Sequence, residues 1–336
     1  MSRVAIVINN YNYGRFLGQC IESALKQTRP PDELIVVDDG STDESREVIV
    51  RFGDRLTPIL QANQGQAAAL NAGFRASSAD LVLFLDSDDY LYPEALDTCL
   101  RHWEAGASKL HFRLDRVDRE GRQLGETWPK KSQDLPSGNL VDQLAREGRF
   151  HFPPTSGNLF ARACLEKLFP IPAERYAICA DAYLIIKAVA HGAQLAVDRS
   201  LGAYRIHGGN HFFERQRYLD PSQVRKHFEN SRNVRELVND VLSECGRPPY
   251  SGQRHHTDYT NLILAKRLFG DSIHPQQSRR ELLDHMRQSL RRLPVSRRKR
   301  AFIALYGALA TYLPIPLLRA FGRSLGAVFP KWFSNQ

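Results

Sequence analysis

The sequence predicts an α/β fold in which helices flank a mostly parallel β-sheet. The first hundred residues alternate short β-branched runs with helical patterns, acidic clusters follow two of those runs, and strand patterns disappear after about residue 215. We therefore expect an α/β domain over residues 1–215, a helical extension over residues 216–275 and a basic, apolar tail over residues 276–336.

In the first part of the chain each predicted strand is followed by a predicted helix. Leu17, Ile21 and Leu25 recur at helical spacing, and Pro30 follows them as a stop signal. The pattern Ser41-Thr-Asp-Glu44 is that of a capping box and predicts the start of the next helix. The predicted strands are residues 4–8, 34–37, 56–60 and 81–85, and the predicted helices are residues 15–27, those after Ser41, and 66–76.

Beyond Pro93 the alternation is less regular. Leu96, Leu100 and Trp103 predict a helix, which leads to a strand over residues 110–117. Polar residues with Gly and Pro predict a loop over residues 121–138. A helix over residues 180–190 and a short strand over residues 194–197 follow, and the sequence is helical and charge-rich from about residue 215.

The composition is that of a folded chain. Hydrophobic residues make up 42% of the 336 positions and charged residues 25%, which excludes a disordered or collagen-like protein. The five cysteines are widely spread without a CxxC spacing, so neither a zinc site nor a disulfide framework is predicted. The first apolar run is too short for a signal peptide, and we expect the chain in the cytoplasm.

The net charge of +9 is concentrated in the tail. Residues 276–336 contain twelve Lys and Arg against two acids, whereas the first 275 residues contain 34 basic and 35 acidic side chains. This distribution favours a peripheral anchor on the cytoplasmic face of a membrane and argues against nucleic-acid binding. For the uncharged stretch 301–318, packing in a core or a true membrane span are the alternatives, and Pro314 and Pro316 disfavour the span.

Acidic side chains stand where two predicted strands end. Asp38 and Asp39 follow the second strand, and Asp86-Ser87-Asp88-Asp89 follows the fourth. In an open parallel sheet, ligands bind at the carboxyl ends of the strands. Two carboxylates spaced D-x-D can hold one Mg²⁺ or Mn²⁺, whose other positions are left for phosphate and water. The alternative is that these acids cap the helices that follow.

Five motifs in order along residues 1–210 resemble the inverting glycosyltransferases of family 2, which have the GT-A fold. This resemblance implies a nucleotide-binding, Rossmann-like sheet and the transfer of a sugar from a nucleotide sugar. The motifs are Val4-Ala-Ile-Val-Ile-Asn-Asn-Tyr-Asn12, Ile21-Glu-Ser-Ala-Leu-Lys-Gln-Thr28, Val36-Val-Asp-Asp-Gly-Ser-Thr-Asp43, Asn63-Gln-Gly65 with Asn71-Ala-Gly73, and Leu85-Asp-Ser-Asp-Asp89.

The resemblance implies roles for residues of these motifs. Asp39 would accept a hydrogen bond from the N3–H that uracil and thymine carry, and Tyr11 would pack against the base. Asp88 and Asp86 would hold the Mg²⁺ or Mn²⁺ that bridges the donor diphosphate. The nucleotide-binding set implied in this way is Asn10, Tyr11, Asp39, Asn71, Asp86 and Arg205. For Asn10 and Asn71, a structural cap is the alternative.

The segment Tyr204-Arg-Ile-His-Gly-Gly-Asn210 resembles the loop that closes over the diphosphate in this family. Arg205 would contact phosphate, and His207 would be the third metal ligand, although a lone His is more often structural. Zinc is disfavoured, because His207 with His211 lacks the Glu of H-E-x-x-H and any cysteine partner.

An aspartate that starts a helix is the general base of this family. Here Asp181 occupies that place, but the Glu that usually precedes it is Ala180. A helix acid favoured by the dipole is the alternative, and Glu174 and Asp198 are weaker candidates for the base. Thr155, Ser156 and Asn158 stand where the family shapes its acceptor pocket, and they could bind a sugar hydroxyl or be turn residues.

The resulting hypothesis is a metal-dependent, inverting glycosyltransferase of the hexosyltransferase type. It would use a UDP-sugar or a related donor, a glycan or lipid-linked acceptor, and Asp181 as base. Sugar nucleotidyltransferases and dinucleotide oxidoreductases need Gly-rich loops after the first strand, and Asn9-Asn-Tyr-Asn-Tyr-Gly14 is not one. The alternative is a catalytically degenerate GT-A domain that binds a nucleotide sugar or a membrane partner, and Ala180 is its best support.

Overall fold

The structure is a computed structural model that describes residues 2–176, 179–208, 221–251, 256–269, 276–291, 296–314 and 317. The strands are β1 Val4–Asn10, β2 Glu33–Asp39, β3 Thr57–Gln61, β4 Leu81–Asp86, β5 Tyr90–Leu91, β6 Ala107–Val117, β7 Gln123–Trp128, β8 Asn158–Ala161 and β9 Ala193–Arg205. The helices are α1 Gly14–Leu25, α2 Ser45–Phe52, α3 Gln66–Ala76, α4 Ala95–His102, α5 Val141–Glu147, α6 Arg162–Leu168, α7 Ala180–Lys187, α8 Pro221–Glu244, α9 His256–Phe269, α10 Arg279–Arg291 and α11 Arg297–Tyr312.

These strands form one mixed sheet in the order β3-β2-β1-β4-β8-β6-β9-β5, with β7 also paired to β6. Strands β1 to β4, β6 and β9 run parallel, whereas β5, β7 and β8 run antiparallel to their neighbours. The arrangement confirms the predicted α/β fold with a mostly parallel sheet.

The register brings the carboxyl ends of β1, β2 and β4 to one edge of the sheet. Asn10 of β1 lies beside Asp38 of β2, and Asn9 lies beside Asp86 of β4. The acidic clusters that follow β2 and β4 therefore face the same edge, which is where open α/β sheets bind ligands.

Apolar side chains fill the space between this sheet and its helices. On one face of β1, Ile6 and Ile8 belong to a buried cluster with Leu17 and Ile21 of α1, and full burial of each such side chain contributes about 1.5–3 kcal/mol. On the other face, a Cβ at Gly73 of α3 would come within 2.2 Å of Val7 Cγ1. Glycine is thus what lets α3 approach the sheet closely.

Two predictions are wrong, one of a loop and one of the length of a strand. Residues 121–138, predicted as loop, contain β7, which pairs with β6 through Thr127 opposite Asp115. Half of the residues of β7 are exposed, and its sequence lacks the apolar alternation that identifies a strand. Strand β9 spans Ala193–Arg205 instead of residues 194–197, because it pairs with β6 along most of its length.

Helix α2 begins later than the capping-box pattern predicts. Ser41 accepts a hydrogen bond from the Asn12 N–H at 2.9 Å instead of capping a helix. Asp43 Oδ1 accepts the Ser45 N–H at 3.0 Å, so the helix starts at Ser45. The Gly14 N–H donates to the other oxygen of Asp43 at 2.9 Å, which links the starts of α1 and α2.

The chain divides into two compact units. The first contains residues 1–207 and 236–250, and the second contains residues 208–235 and 251–336. This division differs from the predicted segments, because residues 236–250 belong to the first unit, where Arg247 pairs with Asp142 at 2.6 Å. In the second unit, α9, α10 and α11 share a core that includes Ile263 and Leu283.

None of the helices described has the length and apolarity that crossing a membrane requires.

A lysine in β6 is fully buried. Lys109 Nζ lies 2.6 Å from His111 Nδ1 and donates a hydrogen bond to Asn158 Oδ1 at 2.9 Å. Burial lowers the pKa of Lys109 well below its usual range, and burial followed by the charge of Lys109 lowers the pKa of His111. Unfolding exposes Lys109 to water, where its amine takes up a proton.

We therefore expect the free energy of unfolding to rise with pH more steeply in the wild type than in Lys109→Met. Because the unfolded wild type binds the additional proton, the difference in slope is up to about 1.4 kcal/mol per pH unit between the depressed pKa of the folded state and the normal lysine pKa. Urea unfolding between pH 7 and 9 measures it. Lys131→Met, at an exposed lysine, should follow the wild type. Parallel curves for the wild type and Lys109→Met would contradict the assignment.

Candidate active site

Hydrogen bonds between short polar side chains connect the ends of β1 and β2 and the segment that follows β2. Asn10 Nδ2 donates to Asp38 Oδ1 at 2.9 Å and to Ser41 Oγ at 3.2 Å. Both Asn10 and Asp38 are buried. The Asn10 amide nitrogen thus has the structural contacts that were the alternative, and a contact with the nucleotide stays a prediction. Tyr11, in contrast, is 47% exposed at the end of β1, so its ring is accessible to a planar ligand.

The Asp39 carboxylate holds the segment between β3 and α3. It accepts hydrogen bonds from Gln61 Nε2 at 2.6 Å, the Gln64 N–H at 3.0 Å and the Gly65 N–H at 2.7 Å. A carboxylate offers roughly four acceptor positions, so about one is left for the predicted contact with a base N3–H. Asp39 therefore holds the segment beside this edge. It is also a candidate for the hydrogen bond with the base.

Three carboxylates follow β4 within four residues. Asp86 Oδ1 accepts from Asn9 Nδ2 at 2.9 Å and from Gln66 Nε2 at 3.1 Å. Burial, followed by the charge of Asp88, raises the pKa of Asp86 to about 7. Burial and the charges of Asp88 and Asp86 also raise the pKa of Asp89 well above its usual range. Crowded negative charge in a desolvated place favours a cation nearby.

Asp88 and His207 are in direct contact. His207 Nε2 lies 2.9 Å from Asp88 Oδ2, and its ring packs 5.1 Å from Tyr13 and 5.0 Å from Phe16 between centroids. A carboxylate oxygen and an imidazole nitrogen side by side suit a divalent ion.

In the part of the chain described, however, no three His, Cys, Asp or Glu side chains are placed to hold a metal by themselves. The set of Asp86, Asp88 and His207 therefore stays a prediction.

Arg205 and Asn71 have structural contacts where nucleotide contacts were predicted. The Arg205 guanidinium is buried and donates to the carbonyl oxygens of Asp88 and Arg119, both at 2.8 Å, and to Gln19 Oε1 at 2.6 Å. These acceptors engage each of its three nitrogen atoms and hold the turn that carries Asp88, and a contact of Arg205 with phosphate stays a prediction. The Asn71 side chain binds the backbone of Ile171 through both its oxygen and its nitrogen.

Asp181 lies in the first turn of α7, where the sequence predicts the base. Its Oδ1 accepts the Ala182 N–H at 2.8 Å. Burial raises the pKa of Asp181, and the charge of Asp181 contributes to the raised pKa of Asp86. The structure therefore brings Asp181 to the acids after β4.

The weaker candidates for the base lie elsewhere. Glu174 is exposed, and the exposed Asp198 carboxylate pairs with Arg113.

The predicted acceptor-pocket residues are buried. Ser156 and Asn158 are 0% exposed and Thr155 is 5% exposed. Ser156 Oγ donates to Asp89 Oδ2 at 2.6 Å and accepts the Asp86 N–H at 3.1 Å. The sequence allowed either a contact with a sugar hydroxyl or a role in a turn. The structure supports the role in a turn, because the polar atoms of these residues bind other parts of the protein.

Sequence reasoning missed several residues of the site. Gln64 donates to Asp39 and Gln66 donates to Asp86, but neither was expected to contribute. Asp89 was given no role of its own, and its contact with Ser156 was not expected. For Asp89 the signal was present, because it extends the D-x-D pair by one acid. The partners of Ser156 and Gln66 are 70 and 20 residues away in the sequence, so no local sequence pattern indicates these contacts.

This fold and this site define an enzyme class. A mostly parallel sheet with an acidic cluster after its fourth strand, facing an aspartate at a helix start, is the architecture expected of a GT-A glycosyltransferase, and it confirms the predicted fold. The model of Glycosyl transferase family 2 matches residues 5–169. An uncharacterized glycosyltransferase of Nostoc sp. is 35% identical over 73% of this chain and 77% of its own length. The chain belongs to glycosyltransferase family 2.

Other relatives match over a smaller part of their length. An uncharacterized glycosyltransferase of Rickettsia felis is 28% identical over 66% of this chain, which spans 35% of that relative. Among solved structures, S. aureus TarS in complex with UDP has a TM-score of 0.51 at 16% identity, covering 97% of this chain and 92% of TarS. The mannosyltransferase PcManGT from Pyrobaculum calidifontis, in complex with GDP-Man and Mn²⁺, has a TM-score of 0.51 at 17% identity, covering 100% and 88%.

Proposed function

We propose that this glycosyltransferase is metal-dependent and inverting, and that it moves a hexose from a nucleoside diphosphate to a hydroxyl of a glycan or lipid-linked acceptor. The observation that carries the proposal is the contact between Asp88 and His207 at the edge of the sheet where Asp86 ends β4. Asp181, in the first turn of α7, is the proposed base. A cation position and a base are the two chemical components that transfer with inversion needs.

The donor is proposed to be a UDP-sugar or a dTDP-sugar. Tyr11 offers an exposed ring for the base, and Asp39 holds the neighbouring segment with an acceptor position left for N3–H. The TarS structures are complexes with UDP and with UDP-GlcNAc, whereas the PcManGT structure is a complex with GDP-Man, so proteins of this fold bind more than one base. An N3–H donor distinguishes uracil and thymine from cytosine.

The cation is proposed to be Mg²⁺ or Mn²⁺, held by Asp88 and His207 with Asp86 beside them. Hard oxygen ligands suit both ions, and phosphate oxygens of the donor would fill the remaining positions. When bound, the ion supplies positive charge for the departing diphosphate. The crowded acids after β4 fit this role, because burial and then the charge of Asp88 raise the pKa of Asp86.

Asp181 is proposed to accept the proton of the acceptor hydroxyl. The acceptor oxygen forms a bond to the anomeric carbon while the bond from that carbon to the diphosphate oxygen breaks, and the electron pair leaves with the nucleoside diphosphate. Because attack comes from the side opposite the leaving group, the anomeric configuration inverts. The hydrogen bond from the Ala182 N–H in the first turn of α7 orients the carboxylate.

The stereochemistry tests this reaction directly. The purified chain is incubated with Mn²⁺, a panel of α-linked UDP-sugars and simple sugar acceptors, and the product is examined by proton NMR. We expect a β-linked product and the release of UDP. An α-linked product would contradict a single displacement with Asp181 as base.

The degenerate GT-A domain remains the second candidate. Its support is Ala180, which stands where the family has a Glu before the base. A chain that binds the nucleotide but transfers no sugar to any acceptor, with Asp181→Asn behaving like the wild type, would favour it.

The basic tail is proposed to bind the anionic cytoplasmic face of a membrane, where a lipid-linked acceptor would be available. Arg297 and Arg298 are exposed at the start of α11. Leu305 and Tyr312 on the same helix are 54% and 64% exposed. Basic residues followed by exposed apolar ones are typical of an interfacial helix.

We expect the double variant Arg297→Glu/Arg298→Glu to bind phosphatidylserine vesicles at least tenfold more weakly than the wild type. Each basic residue near an anionic surface contributes about 1 kcal/mol, and the substitution also adds repulsion. Cosedimentation measures the partition coefficient, with phosphatidylcholine vesicles as the uncharged control. Equal binding of both proteins to anionic vesicles would contradict the proposal.

A further inference from the structure

One buried arginine connects the two segments that carry the proposed cation ligands. Arg205 is the last residue of β9 and is 2% exposed. It precedes His207 by two residues, and its side chain binds the turn that carries Asp88. We propose that Arg205 is a positioning residue, which fixes Asp88 and His207 relative to each other and so sets the geometry of the cation position. This inference rests on the function proposed above.

Arg205 binds the turn after β4 in two ways. Its Nε donates to the carbonyl oxygen of Asp88 at 2.8 Å, and its backbone N–H donates to Asp89 Oδ1 at 2.9 Å. The turn itself is closed by the Asp89 N–H, which donates to the carbonyl oxygen of Asp86 at 3.0 Å. The D-x-D segment is therefore attached to the end of β9 through both the side chain and the main chain of one residue.

The two other nitrogen atoms of the guanidinium anchor it outside this turn. Nη1 donates at 2.8 Å to the carbonyl oxygen of Arg119, in the hairpin loop between β6 and β7, and Nη2 donates at 2.6 Å to Gln19 Oε1 of α1. The guanidinium carbon also lies 4.7 Å from the centre of the Phe16 ring. Because a planar guanidinium presents its donors in fixed directions, these contacts define its orientation and with it the position of the Asp88 carbonyl group.

The position of His207 is linked to the same contacts. The residue between Arg205 and His207 donates its N–H to the carbonyl oxygen of Val117 at 2.8 Å. The His207 ring packs 5.0 Å from the Phe16 ring, on which the guanidinium of Arg205 also lies. His207 Nε2 lies 2.9 Å from Asp88 Oδ2. Arg205 thus contacts the groups that hold each member of this pair.

The alternative for Arg205 is the direct contact with a donor phosphate that the sequence predicts. The two roles differ in the effect of Gln19, which is exposed on α1. Loss of the Gln19 acceptor leaves a positioning residue less firmly held. For a phosphate contact, the same loss removes a competitor of the phosphate, so Gln19→Ala would not weaken donor binding.

The test uses the full-length chain and titrations of UDP and dTDP at several Mn²⁺ concentrations. These titrations give the Kd for Mn²⁺ and the Kd for the nucleotide at saturating Mn²⁺. We expect Arg205→Lys, which keeps the charge but not the planar fork, to raise the Kd for Mn²⁺ by about 10- to 100-fold, the cost of losing an orienting group behind a metal ligand. The Kd for the nucleotide at saturating Mn²⁺ should stay within about threefold of the wild-type value.

A pair of substitutions at Gln19 keeps the test valid if Arg205→Lys does not fold, because Gln19 is exposed. Gln19→Ala should raise the Kd for Mn²⁺ by about threefold or more, since a hydrogen bond to a charged group is lost. Gln19→Glu, which keeps an acceptor, should bind Mn²⁺ like the wild type. The matched control is Arg199→Lys, because Arg199 is exposed on the same strand and pairs with Glu94. It should leave both constants unchanged.

Three results would overturn the positioning role. The first is a raised Kd for the nucleotide at saturating Mn²⁺ with an unchanged Kd for Mn²⁺. The second is a Gln19→Ala variant that binds Mn²⁺ like the wild type. The third is a loss confined to the fraction of protein that binds, because a merely structural role changes the folded fraction and neither constant.

A double-mutant cycle with Asp88→Asn identifies the group through which Arg205 acts. If Arg205 fixes the Asp88–His207 pair, Arg205→Lys weakens Mn²⁺ binding little further in protein that already carries Asp88→Asn. Losses that multiply would contradict this route. A wild type that binds neither nucleotide, or binds one without metal, would instead overturn the proposed function, so the two failures are distinguishable.

Discussion

Asp181→Asn is expected to lower kcat for sugar transfer by about 10²- to 10⁴-fold, which is the range for loss of a general base. The amide has the shape of the carboxylate and still accepts the Ala182 N–H, but it cannot take up the proton of the acceptor hydroxyl. The affinity for the donor should stay within about threefold of the wild-type value, because other residues are proposed to bind the nucleotide. Initial rates at saturating donor and acceptor, together with calorimetric titration of the donor, measure both quantities.

The matched control is Glu174→Gln, which makes the same chemical change at an exposed acid of the preceding segment. It should leave kcat unchanged. Loss of donor binding in Asp181→Asn would contradict its assignment as base alone.

The pH dependence adds a second check. Burial raises the pKa of Asp181, so the wild-type rate should fall as the pH is lowered through that raised pKa, because a protonated base accepts no proton.

Asp88→Asn is expected to weaken Mn²⁺-dependent donor binding by at least tenfold and to lower kcat by at least 10²-fold. The substitution keeps an acceptor near His207 but removes the negative charge beside the ion. Loss of an orienting group behind a metal already costs 10- to 100-fold, so loss of a ligand should cost at least that much. Donor titrations at several Mn²⁺ concentrations separate the metal affinity from the nucleotide affinity.

Asp54→Asn serves as the control for Asp88→Asn. Asp54 is an exposed acid before β3, at the opposite end of the strands from the site. It should bind donor and Mn²⁺ like the wild type. Unchanged metal dependence in Asp88→Asn would remove this residue from the cation position.

Much of the fold could be predicted because its signal is local. The buried strands β1, β2 and β4 are continuous apolar runs, and α3 spans Gln66–Ala76 as predicted. The position of the acids could be predicted equally well, because residues that follow the ends of parallel strands lie at one edge of the sheet. Strand β7 could not be predicted in this way, because its exposed residues owe their structure to pairing with β6.

The contacts of the site were harder to predict than its location. Arg205 belongs to a segment that resembles the loop closing over the diphosphate, yet two of its partners are carbonyl oxygens 117 and 86 residues away. Ser156 has the composition of an ordinary turn residue, and its partners lie 70 and 67 residues away. A side chain of either type is compatible with solvent, ligand or protein partners, and only the folded arrangement decides among them.

Titration with nucleoside diphosphates tests the central claim most directly. The purified chain is titrated calorimetrically with UDP, dTDP, GDP, CDP and ADP, each with Mn²⁺ and again with excess chelator. We expect UDP or dTDP to bind in the presence of Mn²⁺, and we expect chelation to abolish the binding. Failure of every nucleotide to bind to protein shown by circular dichroism to be folded, or binding that chelation leaves unchanged, would contradict it.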